Sequence, residues 1–325
     1  MRILHGLTLL PVLFAQGSVE RIKVHGKSLE GNLIGDSPDR DVAVYLPKSY
    51  ATDKRRRFPV VYMLHGFTDS VEKWWSNPKH WINLPMVLDK AATDFIVVMP
   101  DAYNSFQGSF YSSSATIGDW ETFVAREVVA AIDAKYRTIS RVASRGLAGH
   151  SMGGYGAMRL GMKYPDVFGA VYLMSACCMT PMGGGPSRPS KASDIKSLEE
   201  FAKADFGTKA QISGASAWSP NPKNPPLYID LPSAENKDAL ARLTANATLA
   251  NVDQYIANIR RLRALGIDCG DKDGLLGGSK ALHERLDMYG VTHDYAVYEG
   301  NHINGVAGRI QNVVVPFFAM HLQMR

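Results

Sequence analysis

A serine lies at the centre of the stretch Gly149-His150-Ser151-Met152-Gly153, which fits the pattern G-x-S-x-G. The stretch follows an apolar run and precedes a segment with helical periodicity, as a nucleophile elbow requires. Glycines permit the sharp turn that projects a serine Oγ beyond the edge of a sheet. Because a serine hydroxyl is a poor nucleophile at neutral pH, the pattern predicts Ser151 as a nucleophile that works with a base.

A histidine after the serine is the expected base, since the partners of such an elbow follow in the order serine, acid, histidine. The chain offers four candidates: His283, His293, His302 and His321. His302 is the one in a turn-rich segment directly after an apolar run, where a loop could carry its ring to the serine. The sequence therefore predicts His302 as the base.

The acid is expected just after the apolar run 265–269, in the turn that follows it. Asp273 is the preferred candidate and Asp271 the second, while Asp268 lies inside the run itself. A carboxylate there would hold one tautomer of the imidazole and stabilise its cationic form. The oxyanion of the intermediate needs backbone donors, and Met152 N–H and Phe67 N–H are predicted to supply them.

The loops near these candidates carry further side chains that need an interpretation. His65, just before Gly66 and Phe67, is predicted to have a structural role rather than to act as a base or metal ligand. Some of the aromatic residues in the loops after the second and third apolar runs are expected to line an acyl pocket, with ordinary packing as the alternative. These residues are Trp74, Trp75, Trp81, Tyr103, Phe106 and Tyr111.

Short apolar runs alternate with helical patterns along the chain, which positions the candidates above. Strands are predicted at 42–46, 58–64, 95–99, 145–149, 169–174, 265–269 and 295–298. Helices are predicted at 119–136, 152–163, 252–265 and 279–289, with a further helix at the C-terminus. This alternation predicts an α/β fold with a mostly parallel central sheet covered by helices on both faces. Together with the nucleophile elbow, it indicates the α/β-hydrolase fold.

One long segment, residues 179–250, interrupts the alternation and is rich in Gly, Pro, Ser, Asn and Lys. We interpret it as a loop-rich, cap-like insertion over the C-terminal edge of the sheet that shapes a pocket, within one domain spanning 18–325. A second independent domain is disfavoured because the segment shows no apolar core of its own.

Charge and targeting signals set limits on partners and location. The net charge is +5, and the one tight basic cluster, 54–57, precedes a strand, so no nucleic-acid partner is predicted. Residues 1–17 combine a basic start, an apolar stretch and small residues, which predicts a signal peptide and a secreted or periplasmic protein. That stretch is too short to span a membrane, and no other stretch is long enough.

The three cysteines do not form a disulfide framework or a Cys/His ligand pattern, and no metal or cofactor is predicted. The Asp-x-Asp-Gly string at 271–274 does not fit a calcium loop, because Cys269 and Lys280 occupy its first and last ligand positions. Neighbouring strands would bring Cys269 near the adjacent Cys177 and Cys178, so a disulfide from Cys269 to one of them is a hypothesis.

Several stretches resemble the Putative esterase family of α/β-hydrolases, in the family's order and over roughly residues 40–310. They are Val44-Tyr45-Leu46-Pro47, Tyr62-Met63-Leu64-His65-Gly66, Tyr136-Arg137-Thr138, the stretch 148–157 around the serine, Cys269-Gly270-Asp271-Lys272-Asp273 and Gly300-Asn301-His302. The family includes feruloyl esterases, S-formylglutathione hydrolases, siderophore esterases and mycobacterial antigen 85 mycolyltransferases. The resemblance implies Asp273 as the acid and a reaction without metal or organic cofactor.

The expected function is hydrolysis of a carboxylic ester through an acyl-enzyme, on short-chain or feruloyl-type esters of carbohydrates. An acyltransferase of the mycolyltransferase type, or a siderophore or S-formylglutathione-type (thio)esterase, would use the same residues and stays an alternative. A catalytically dead binding scaffold is the least favoured, because all three triad candidates are present. The sequence leaves the oligomeric state and the acyl and alcohol specificity open.

Overall fold

A computed structural model describes residues 16–180, 191–233 and 235–325. The predicted signal peptide, residues 1–17, lies almost wholly outside these residues, so export stays a prediction. In the described part of the chain, no helix is both long and apolar enough to cross a membrane.

One mixed sheet organises the described residues. Its strands are β1 (Ser18–His25), β2 (Asp39–Leu46), β3 (Val60–Leu64), β4 (Ile96–Pro100), β7 (Arg145–His150), β8 (Ala170–Met174), β9 (Ala264–Gly270) and β10 (Asp294–Tyr298), while β5 (Ser113–Ser114) and β6 (Gly118–Asp119) form a separate small ribbon. The order across the sheet is β1-β2-β4-β3-β7-β8-β9-β10. From β4 to β10 neighbouring strands are parallel, and β2 runs antiparallel to both β1 and β4.

Helices connect these strands and cover the sheet. They are α1 (Lys48–Thr52), α2 (Val71–Trp75), α3 (Leu84–Lys90), α4 (Trp120–Thr122), α5 (Val129–Lys135), α6 (Met152–Lys163), α7 (Leu198–Lys203), α8 (Phe206–Trp218), α9 (Lys237–Ala245), α10 (Thr248–Ile259), α11 (Leu276–Met288), α12 (Val306–Arg309) and α13 (Val315–His321). A π-helical segment, Phe123–Val128, joins α4 to α5, and another, Ile310–Val314, joins α12 to α13. Short 3₁₀ turns occur at Lys27–Leu29, Val142–Ser144 and Ala192–Asp194.

The core has two layers because successive side chains of a strand point to opposite faces of the sheet. In β2, Val44 packs into the layer that holds α6 and α11, whereas Tyr45 packs into the layer that holds α2, α3 and α13. The central strands are buried on both faces, which explains their nearly continuous apolar sequence. The predicted α/β-hydrolase architecture is confirmed.

The described part of the 179–250 segment is more helical than its composition indicated. It contains α7, α8 and α9, each of which begins at a side-chain cap: Ser197, Asp205 and Asn236. Apolar residues of these helices, such as Phe201 and Trp218, join the same core layer as α6. These helices therefore pack on the same core as α6, and the division into domains stays a prediction.

One expectation about an individual element was wrong, and one strand was missed. The helix predicted at 252–265 begins at Thr248 and ends at Ile259, because the residues from Ala264 onward belong to β9. The edge strand β1 was missed, since it is mostly exposed and alternates polar with apolar residues. An edge strand covered on one side needs few apolar residues, so its pattern is weak.

Candidate active site

Ser151 occupies the tight turn between β7 and α6. Its backbone has φ 57° and ψ −115°, in a region that favours glycine, and such strained residues persist only where the surroundings hold them. Here the end of β8 and the residues just after it supply the restraint: Ser151 N–H donates to Met174 O at 3.0 Å, and Cys177 N–H donates to Ser151 O at 3.1 Å. The predicted nucleophile thus lies at the carboxyl end of the sheet in a fixed orientation.

The two glycines of the motif are required by close backbone contacts. A Cβ on Gly149 would lie 2.1 Å from Gly153 O, and a Cβ on Gly153 would lie 2.0 Å from Leu64 O. Any side chain at either position would therefore push α6 away from β3 and β7. The spacing of the motif follows from this packing.

His302 lies in hydrogen-bond contact with both Ser151 and Asp273. His302 Nε2 is 3.0 Å from Ser151 Oγ, and His302 Nδ1 is 2.8 Å from Asp273 Oδ2. Because an ionised carboxylate only accepts, Nδ1 carries the proton and Nε2 presents its lone pair to the serine hydroxyl. The loops after β9 and β10, which are neighbouring parallel strands, bring the acid and the histidine together.

The carboxylate of Asp273 is almost inaccessible, with its side chain 2% exposed, whereas the His302 side chain is 39% exposed. Burial opposes the ionisation of Asp273, but hydrogen bonds from His302, Leu275 N–H and Ser175 outweigh it and lower its pKa to about 2. The group is therefore ionised throughout the neutral range and can stabilise a positive charge on the imidazole.

The other two acid candidates serve different contacts. Asp271 Oδ1 accepts a hydrogen bond from Gly300 N–H at 2.9 Å, which ties the turn after β9 to the turn that carries His302. Asp268 is fully buried and accepts from Arg309 Nε at 2.7 Å and from the Tyr172 hydroxyl at 2.9 Å. The structure therefore brings only Asp273, of the three, to His302.

Two backbone segments border the space in front of Ser151. Met152 is the first residue of the 12-residue helix α6, so its N–H is among the donors left free by helix geometry at the positive end of the helix. The chain at Gly66 passes close to the serine: a Cβ on Gly66 would lie 3.5 Å from Ser151 Cβ. These positions are compatible with the predicted donors Phe67 N–H and Met152 N–H, whose role stays a prediction.

His150 contacts the histidine of the site, which the sequence interpretation did not foresee. Its Nε2 lies 2.7 Å from His302 O, and the centroids of the two rings are 4.7 Å apart. Burial, together with the nearby His302, lowers the pKa of His150 to about 4, so the ring is neutral and Nε2–H donates to that carbonyl. The sequence signal that could have indicated this contact is the position of His150 in G-x-S-x-G, directly before the serine.

His65 connects the loops after β3 and β4. Ala102 N–H donates to His65 Nε2 at 2.9 Å, which leaves the proton on Nδ1, where it is donated to Gly66 O at 2.9 Å. The side chain is fully buried. These contacts match the structural role expected for His65, since they fix the backbone beside Phe67.

A cavity of about 560 Å³ opens in front of Ser151 and His302. Its aromatic lining comes from Phe67, Phe110 and Phe206, the last of which begins α8. None of the six aromatic residues proposed from the sequence is among the described residues that line it; Trp74 and Tyr111, for example, are buried in the core. A position in a loop just after a strand therefore did not distinguish aromatic residues of the core from those that line the pocket.

The cysteines also differ from expectation. Cys177 and Cys178 form a disulfide with each other, and both line the cavity, whereas Cys269 is buried and free. The hypothesis of a disulfide from Cys269 was wrong. The thiol of Cys269 instead contacts Ser175, whose Oγ lies 3.7 Å from Sγ.

Comparison with known proteins agrees with this fold. The family described as Putative esterase matches residues 37–305. The chain belongs to the Putative esterase family. This confirms the resemblance found in the sequence, and the family match extends over both strand–loop units that carry Asp273 and His302.

Individual relatives are more distant. An esterase of Mycobacterium tuberculosis is 26% identical over an alignment of 274 residues that covers 81% of this chain and 52% of the relative. An endo-1,4-beta-xylanase/feruloyl esterase of Xylanibacter ruminicola is 28% identical over 162 residues, which are 48% of this chain and 21% of that protein. The chain thus spans about half the length of the first of these curated relatives and a smaller share of the second.

Solved structures support the fold. A ferulic acid esterase superposes with a TM-score of 0.67 at 24% identity, covering 94% of this chain and 98% of its own. An S-formylglutathione hydrolase from Staphylococcus aureus superposes with a TM-score of 0.61 at 14% identity, covering 95% and 100%. At these identities the likeness concerns the fold.

Proposed function

We propose that the chain is a serine carboxylic-ester hydrolase with Ser151 as the nucleophile, His302 as the base and Asp273 as the acid that orients it. The observation that carries the proposal is the continuous hydrogen-bonded line from Asp273 Oδ2 through His302 to Ser151 Oγ, with distances of 2.8 and 3.0 Å. Membership of the Putative esterase family supports the same reaction class.

Acylation begins when Ser151 Oγ attacks the ester carbonyl carbon and its proton passes to His302 Nε2. The oxyanion that forms would be held by Met152 N–H and Phe67 N–H, with the positive end of α6 contributing. The intermediate collapses when His302 Nε2–H protonates the departing alcohol oxygen. The acyl group then remains bonded to Ser151 Oγ.

Deacylation repeats the same steps with water. His302 Nε2 takes a proton from water as the water oxygen attacks the acyl carbon, and the returning proton releases Ser151 and the carboxylic acid. Asp273 keeps Nδ1–H in place throughout and stabilises the imidazolium, because its own pKa of about 2 keeps it ionised.

The substitution Ser151→Ala tests the reaction class. We expect it to abolish turnover of p-nitrophenyl butyrate and labelling by a fluorophosphonate probe, while thermal unfolding shows a folded protein. Ser140→Ala, which changes an exposed serine before β7, is the control and should retain both activities. Turnover that survives in Ser151→Ala at a wild-type rate would disprove the assignment of the nucleophile.

For the substrate, we propose an ester of an aromatic, feruloyl-type acyl group, on a carbohydrate alcohol. The cavity beside Ser151 supports this because Phe67 stacks on Phe110 with ring centroids 5.8 Å apart and meets Phe206 edge-on at 5.5 Å. A planar acyl group could extend this cluster. An aromatic pair contributes about 0.5–1.5 kcal/mol beyond the area it buries.

Phe206→Ala tests the aromatic acyl site. We expect kcat/KM for methyl ferulate to fall roughly 3- to 10-fold more than kcat/KM for p-nitrophenyl acetate, which has no aromatic acyl group. Met288→Ala is a matched control, because Met288 and Phe206 are both 66% exposed but only Phe206 lines the cavity. Equal losses on the two substrates would contradict the aromatic acyl site and leave the nucleophile unaffected.

A further inference from the structure

Three side chains with metal-ligating atoms meet away from the esterase site, where α11 returns to β10. His283 and Asp287 lie four residues apart on α11 and therefore on one face of that helix. His293 lies in the connection just before β10. One ligand atom from each residue lies within 4.8 Å of the others.

The geometry points to a binding site for a divalent transition-metal ion of the zinc class, held by His283, Asp287 and His293. A tetrahedral ion with ligand bonds near 2.0–2.1 Å separates its ligand atoms by roughly 3.4 Å. His283 Nδ1 lies 2.8 Å from His293 Nε2, and one ligand atom of each of the three residues lies within 4.8 Å of the others. Asp287 Oδ2 now contacts the other ring nitrogen of His283, Nε2, at 3.4 Å. A rotation of the exposed Asp287 side chain and a small separation of the two rings would place one ion among the three residues.

The protonation of His293 suits a metal ligand. Its Nδ1 lies 2.8 Å from Val291 O, and a carbonyl oxygen only accepts, so Nδ1 carries the proton. The Nε2 lone pair is then directed at His283. Histidines that bind metals commonly donate their other ring N–H to a backbone carbonyl in this way, which fixes the ring and its tautomer.

His283 is held in a defined plane as well. Its ring stacks on Tyr295, with centroids 4.2 Å apart and an angle of 8° between the planes. Its side chain is 30% exposed and that of Asp287 is 60% exposed, so an ion can reach the site from solvent. The His283 ring is therefore already ordered, and binding an ion would cost it little conformational entropy.

The donor set selects the class of ion. Two imidazole nitrogens and one carboxylate oxygen suit Zn²⁺, Co²⁺, Ni²⁺ or Cu²⁺, whereas Mg²⁺ and Ca²⁺ prefer sites made of oxygen atoms alone. Three protein ligands leave a fourth position for water.

The site would act on stability rather than on the ester. Asp273 precedes α11 and His302 follows β10, so an ion at the far end of this α11–β10 unit would tie together the two elements that flank the acid and base. A ligand that binds only the folded state raises the free energy of unfolding according to its concentration relative to Kd.

The test uses the full chain, stripped with a chelator and titrated with ZnCl₂ by calorimetry and thermal unfolding. We expect one zinc ion per chain with a Kd at or below about 10 µM, so that 100 µM Zn²⁺ raises Tm by at least about 2 °C while 1 mM Mg²⁺ does not. His293→Gln and Asp287→Asn should each weaken zinc binding at least tenfold and abolish the Tm shift.

His25→Gln is the matched control. Its ring also contacts two carboxylates, Asp39 at 2.8 Å and Glu30 at 2.9 Å, but His25 ends β1, at the opposite edge of the sheet from β10, and so cannot contribute to the site. Zinc affinity should be unchanged in this variant. Wild-type affinity in His293→Gln, loss of affinity in His25→Gln, or no binding at 100 µM would each overturn the inference. Esterase turnover is not used, so failure here leaves the proposed function untouched.

Discussion

Replacing Asp273 by asparagine should move the imidazole proton of His302 from Nδ1 to Nε2 without changing the shape of the site. Asp273 Oδ1 accepts a hydrogen bond from Leu275 N–H at 2.9 Å, while Oδ2 faces His302 Nδ1 at 2.8 Å. The amide oxygen must stay toward Leu275, because only an oxygen can accept there. The amide NH₂ then faces Nδ1 and donates to it, which forces the imidazole proton onto Nε2.

The size of the effect follows from these two contacts. Turning the amide over would leave Leu275 N–H without its acceptor, at a cost of about 1–3 kcal/mol, so the wrong tautomer dominates. The variant also loses the negative charge that stabilises the imidazolium. Together these losses should lower kcat/KM roughly 10³- to 10⁴-fold, or about 4–5.5 kcal/mol of transition-state stabilisation.

The assay compares Asp273→Asn with Asp271→Asn on p-nitrophenyl butyrate, with Tm recorded for both. Asp271 is exposed, and its Oδ1 accepts only a backbone hydrogen bond, from Gly300, which an amide oxygen can still accept. We therefore expect Asp271→Asn to keep kcat/KM within about tenfold of wild type. Similar losses in the two variants, or a loss below tenfold in Asp273→Asn, would refute the tautomer argument.

Three further predictions concern stability. The pKa of Asp273 is lowered in the folded state from 3.8 to about 2, so its contribution to the free energy of unfolding is present above pH 4 and is lost as the pH falls towards 2. The free energy of unfolding, measured by urea titration, should therefore vary less across this pH range in Asp273→Asn than in the wild type. Gly153→Ala would place a Cβ 2.0 Å from Leu64 O and should lower the unfolding free energy by about 3 kcal/mol or prevent folding, and a wild-type Tm would contradict this contact. Arg309→Met leaves the buried Asp268 carboxylate without its cation and should cost about 3–5 kcal/mol in urea unfolding, whereas a loss under 1 kcal/mol would show that the pair is not needed.

The sequence by itself was sufficient for the fold class and for the order of the candidates along the chain. Seven strands and α6 were predicted near their observed bounds, and the central strands were the clearest of them because runs buried on both faces are almost wholly apolar. The G-x-S-x-G motif was readable for a related reason: backbone contacts at Gly149 and Gly153 leave room for no other residue. Constraints of this kind act within one short stretch of sequence and can therefore be recognised from that stretch alone.

Contacts between distant segments could be decided only by the tertiary structure. Asp268, Asp271 and Asp273 lie within six residues of one another, yet only the paths of β9 and β10 determine which carboxylate faces His302. The pocket aromatic Phe206 lies 55 residues from the serine in sequence, so its place in the cavity depends on how α8 packs.

The pairing of cysteines and the grouping of histidines show the same dependence. Strand order suggested a partner for Cys269, but its side chain is buried against Ser175 while Cys177 and Cys178 join each other. His293 stood out in the sequence only as a rejected base, and its approach to His283 arises from the turn between α11 and β10. Periodicity records which face of an element is buried, whereas the partner across a turn or sheet is set by packing of the whole chain.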